Sequence, residues 1–127
     1  MPLSRIPIAV LLTSTTLVPA TAAAKGDDDV RRAGTCTGAS EAKIKLSPEE
    51  GRIEVEFEVD QNRNGVRWKV VLRRNGERFA SARKTIRAPS GSFELRRLTG
   101  DGTGADRISA RATSPSGEVC RATASIG

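Results

Sequence analysis

Between Arg52 and Asp60 the residues Ile53, Val55, Phe57 and Val59 alternate strictly with Glu54, Glu56 and Glu58. A period of two demands a β-strand with one face buried and the other in water. The pattern then recurs along the chain. Residues 66–72 place Val66, Trp68, Val70 and Leu72 on one side, with Arg67, Lys69 and Arg73 on the other. Asn75-Gly76 is a two-residue turn signal, and residues 78–86 form a weaker returning strand anchored by Phe79. Pro89-Ser90-Gly91 breaks that strand, and residues 92–98 resume with Phe93 and Leu95 inward. After a loop over 99–105, residues 107–113 alternate Ile108, Ala110 and Ala112 against Arg107, Ser109 and Arg111. The turn Ser114-Pro115-Ser116-Gly117 leads to a last strand over 118–126, with Cys120, Ala122, Ala124 and Ile126 on one side. An opening strand over 41–46 carries Ala42, Ile44 and Leu46.

Seven short strands without a helix between them predict an all-β chain, an antiparallel β-sandwich of immunoglobulin-like shape, with a small β-barrel as the alternative. Trp68 on the third strand suits the sandwich. The absence of tyrosine removes the tyrosine corner of antibody-type domains, and the cysteines are not placed on the second and sixth strands. The strands 52–60 and 66–72 are expected to pair as a hairpin, with Glu58 beside Arg67 and Glu56 beside Lys69 across the outer face.

Met1 to Ala24 has the parts of an export signal: Arg5, an apolar run over 6–18, and small residues at 20–24 with cleavage frames before Ala23 or before Lys25. That run is too short and too interrupted to span a bilayer, and no cysteine stands at the cleavage point to take a lipid. The expectation is a secreted, extracellular monomer without a membrane span: signal peptide 1–24, flexible leader 25–35, and one domain over 36–127. With aromatic side chains limited to Phe57, Trp68, Phe79 and Phe93, the core rests on Ile, Val, Leu and Ala and is thin. Small exported domains of this kind use covalent staples, and Cys36 and Cys120 are expected to form one long-range disulfide. Free thiols or a metal pair are the competing reading, which an oxidising compartment and the lack of histidine both disfavour.

The segments 59–68, 87–94 and 111–120 resemble a group of small exported proteins of unassigned function from high-GC actinobacteria, over nearly the whole mature domain. The resemblance implies secretion, a single disulfide and a sandwich. It implies no catalytic or cofactor-binding residues.

With no histidine, no tyrosine and paired cysteines, acid–base work at neutral pH would fall to carboxylates or lysine. Glu54, Glu56 and Glu58 share a face expected to be open to water and to lie beside cations, so they read as ordinary ionised carboxylates rather than a desolvated catalytic pair. An enzyme is not expected, nor a cofactor. Asp60-x-Asn62-x-Asn64-Gly65 matches the start of an EF-hand calcium loop, but position 12 is Val71, Arg63 intrudes, and the flanks are strands. Those residues also suit a turn that needs positive φ, and weak calcium binding is the competing reading. The loop Gly100-Asp101-Gly102-Thr103-Gly104 has no following helix to cradle a phosphate and reads as a flexible connection.

Charge is divided unevenly. Residues 25–60 hold 6 basic and 10 acidic side chains, whereas 61–127 hold 14 basic and 5 acidic. If the third, sixth and seventh of these strands share a sheet, its outer face displays Arg67, Lys69, Arg73, Arg107, Arg111 and Arg121, a candidate anion-binding face for envelope polymers or acidic proteins. A solvated face partly neutralised by nearby glutamates is the plain alternative. Nucleic acid is disfavoured because the aromatics are assigned to the core and none is left to stack on bases. A different class of function, an inhibitor or effector presenting a rigid loop at 62–65 or 89–91, competes with the binding-face reading.

Overall fold

The computed structural model describes residues 28–127, all-β and without helix. The expected signal lies outside these residues. Among the described residues nine strands form two antiparallel sheets: β1 Val30–Ala33, β2 Thr35–Cys36, β3 Glu41–Glu49, β4 Arg52–Asp60, β5 Arg67–Arg74, β6 Glu77–Thr85, β7 Ser92–Gly100, β8 Asp106–Thr113 and β9 Val119–Ile126. One sheet has the order β1-β3-β4-β7 and the other β2-β9-β8-β5-β6. The sheets stay separate, so the chain is a sandwich and not a closed barrel. No described helix is long and apolar enough to cross a membrane.

The alternation read from the sequence sets which side chains point inward. Ile53, Val55, Phe57 and Val59 of β4 meet Trp68, Val70 and Leu72 of β5 and Ile108, Ala110 and Ala112 of β8 in one core, all nearly or fully shielded from solvent. Trp68 reaches across from its own sheet to Phe93 of β7, with ring centroids 6.3 Å apart, and Phe93 in turn packs edge-on to Phe57 at 6.4 Å. The indole N–H donates to Gln61 Oε1 at 3.1 Å, so the buried donor is satisfied.

The expected hairpin between β4 and β5 does not form. β4 pairs with β3 and β7, and β5 with β6 and β8, so the connection 61–66 carries the chain from one sheet to the other. Its backbone is held away from a hairpin path by the next crossover, because the N–H groups of Gln61 and Asn62 both donate to the Gly91 carbonyl, at 3.1 and 2.9 Å. The glutamates of β4 therefore face Lys43 and Lys45 of β3 and Arg96 of β7, and not Arg67 and Lys69. In the hairpin that joins β5 to β6, Asn75 and Gly76 supply the turn with φ of 50° and 84°.

The leader expected over 25–35 is partly strand. β1 pairs with β3 in one sheet and β2 with β9 in the other. Val30-Arg31-Arg32-Ala33 has no period of two, and its strand form comes from the open edge of β3 beside it. Between β1 and β2 the chain slips past both layers at Gly34, where a Cβ would collide with the Arg121 carbonyl and crowd Ala122 and Ala42. Only glycine fits that passage. Cys36 then lies directly opposite Cys120 and is joined to it by a disulfide across 84 positions of chain.

Candidate functional site

β5, β8 and β9 do share a sheet, and all six candidate residues, Arg67, Lys69, Arg73, Arg107, Arg111 and Arg121, are exposed outside the core-facing positions of their strands. The ladder brings two more cations to the same face, Arg83 directly opposite Lys69 and Arg78 opposite Arg73, both exposed on β6. Arg78 opposite Arg73 was legible from the two-residue turn at Asn75-Gly76. Arg83 opposite Lys69 was not, because a bulge at the Leu72/Arg73 step shifts the register by one residue beyond it.

Serine and threonine fill much of the remaining outward lattice, among them Ser81, Ser109, Thr113 and Thr123. No carboxylate stands between the cations on these ladders. Among the described residues none of the eight cations takes part in an ion pair. Three cross-strand pairs, Lys69 with Arg83, Arg73 with Arg78, and Arg111 with Arg121, set like charges directly opposite each other. Such pairs oppose sheet formation, so the arrangement does nothing for the fold.

The other sheet shows the contrast. Lys43 lies 3.5 Å from Glu58, Lys45 2.9 Å from Glu56, and Arg96 2.9 Å from Glu94 and 3.4 Å from Glu56. The glutamates expected to neutralise the basic face are thus on the opposite side of the sandwich, occupied by their own cations. Burial works to raise Glu56, but hydrogen bonds with Lys45 and Glu94 and the charges of Lys45 and Arg96 outweigh it and hold this carboxyl below its usual range. Burial and the neighbouring Glu56 push Glu94 up, against the pull of Arg96. Shallow grooves of about 450 and 480 Å³ run beside β1 and β3 on this side, away from the basic face.

The two motif loops serve the fold. Asp60 Oδ1 accepts the Asn62 N–H at 3.1 Å, and Asn62 and Gly65 take φ of 52° and 88°, so the calcium-like spacing builds a turn at the crossover. The glycine-rich loop is a clasp. Asp106, buried at the start of β8, accepts from Arg74 Nε at 2.9 Å, Asn75 Nδ2 at 3.0 Å and the Gly102 N–H at 3.0 Å. Sequence reasoning missed this centre, because Arg74 and Asp106 are 32 positions apart and meet only when β5 and β8 pair.

The Gly102 N–H above all, with Arg74 and Asn75, holds the Asp106 carboxyl below the ordinary aspartate value of 3.8, against the effect of burial. A depressed carboxyl contributes stability above its unfolded value and loses it as pH falls through the folded one. Urea unfolding of Asp106→Asn beside the parent should show a stability gap that is constant from pH 7 down to about pH 4 and closes at lower pH. A gap independent of pH would show that the charge of Asp106 does not matter.

A scan against protein-family models finds no match for this chain, and a search of curated proteins finds none.

Proposed function

We propose that this chain is a secreted, disulfide-stapled module that acts without catalysis and binds anionic polymers through the outer face of the five-stranded sheet. One observation carries the reading: eight exposed cations with no carboxylate among them and no ion pair to a described residue, beside a second sheet in which Lys43, Lys45 and Arg96 are paired with glutamates. A face built for solubility alone intersperses both signs. The export-type N-terminus and the disulfide support an extracellular setting. Phe57, Trp68 and Phe93 are buried and Phe79 packs against the core, so the basic face lacks a platform for stacking bases.

Binding to a polyanion should fall steeply with salt, with a log–log slope that becomes shallower by about 1 for each phosphate-contacting cation removed. Arg111→Glu/Arg121→Glu should weaken binding to long-chain polyphosphate by roughly tenfold or more while leaving the circular dichroism spectrum unchanged. Retention insensitive to salt, or unaffected by this double reversal, would refute the proposal.

The contact of the 61–66 crossover with Gly91 favours a second reading, a protein-directed inhibitor, because it joins both candidate loops into one stiff edge. A stoichiometric protein partner captured from culture fluid and stable to high salt would select it.

A further inference from the structure

Resting on the polyanion reading, a second step follows from the way the cations are grouped. Val71 occupies an outward position in β5, between Lys69 and Arg73 on its own strand. Arg111 of β8 and Ser81 of β6 lie directly opposite it, and Ser109 lies opposite Arg73. Alternate residues on a strand are about 6.6–6.8 Å apart and neighbouring strands about 4.7–4.9 Å, so the three cations stand within a side-chain length of Val71 on three sides. Each is exposed and has no ion pair among the described residues. Val71 itself is only partly exposed although it points outward, in keeping with its place among longer side chains.

We propose that this ring over Val71 seats a phosphate group carried by an anionic polymer. A carboxylate offers two coplanar oxygens, which a single guanidinium fork satisfies. Donors converging from three sides call for an acceptor whose oxygens point in several directions, and a tetrahedral phosphate is such a group. Arg73 and Arg111 supply the forks, Lys69 a mobile point charge, and Ser81 a neutral donor. The remaining cations hold the polymer on either side and add affinity without selecting its chemistry.

The test compares two substitutions of equal charge in the full folded protein: Val71→Glu at the centre of the ring, and Ser125→Glu, exposed opposite Arg107. With long-chain polyphosphate as the probe, Val71→Glu should weaken binding by roughly tenfold or more and Ser125→Glu by roughly threefold or less. Arg111→Gln against Arg67→Gln repeats the comparison without placing a new charge at the centre, should Val71→Glu fail to fold. Polyglutamate of matched charge should bind more weakly and respond equally to both substitutions. Equal losses with polyphosphate would overturn the focused seat. Polyglutamate or dextran sulfate binding as tightly as polyphosphate would overturn the phosphate assignment, and duplex DNA displacing polyphosphate at lower charge concentration would replace the polymer with nucleic acid. If no polyanion binds at all, the underlying functional reading fails instead.

Discussion

Replacing Cys36 and Cys120 together by alanine should lower the free energy of unfolding by about 4 kcal/mol, close to the chain-entropy value for a loop of this length. The bridge spans 84 positions, from the short β2 to the last strand, and so restricts almost the entire denatured chain. In the folded state β2 is two residues long and contributes few ladder bonds of its own. The seven longer strands do not need it to find their partners, so the variant should still fold. Its guanidinium midpoint should drop, and the parent treated with reductant should match it. A loss below about 1 kcal/mol would mean that the denatured chain is already compact enough to make the cross-link redundant.

Trp68→Ala should cost about 3–5 kcal/mol, the range for truncating a large buried aromatic. Trp68 is fully shielded and is the largest side chain in the core, which holds few other aromatics. It also makes the contact between sheets, touching Phe93 from the opposite layer. Truncation leaves a cavity between the sheets and removes the donor to Gln61, which loosens the crossover that assigns β4 and β5 to different layers. Trp68→Phe should keep much of the packing and lose less. Urea titrations of the three proteins check both statements, and a truncation costing no more than an exposed substitution would contradict the role assigned to Trp68.

Much of this molecule is legible in its amino-acid sequence. The alternation of Ile53, Val55, Phe57 and Val59 with glutamate places a strand over Arg52 to Asp60, and β4 occupies those residues. The remaining long strands agree with their patterns to within a few residues at the ends, and Cys36 and Cys120 are joined. β1 and β2 escape notice because four residues with two adjacent arginines show no period. Their pairing is conferred by the exposed edges of β3 and β9. Arg83 comes opposite Lys69 only through a bulge in β6 that leaves Phe79 without a ladder partner, a feature that the alternation of side chains does not announce.

Hydrophobic periodicity tells each residue whether to point in or out, since water rejects apolar side chains whatever strand lies alongside. It does not tell a strand which neighbour to choose. Glu56 and Glu58 would meet opposite charges equally well beside Lys69 and Arg67 or beside Lys45 and Lys43, and electrostatics on the outer face is too weak and too permissive to choose between them. Three-dimensional closure makes the choice, through the crossover at 61–66 and the packing of Trp68 across the layers. That choice sends the carboxylates to one side and leaves Lys69, Arg73, Arg111 and their neighbours unneutralised on the other.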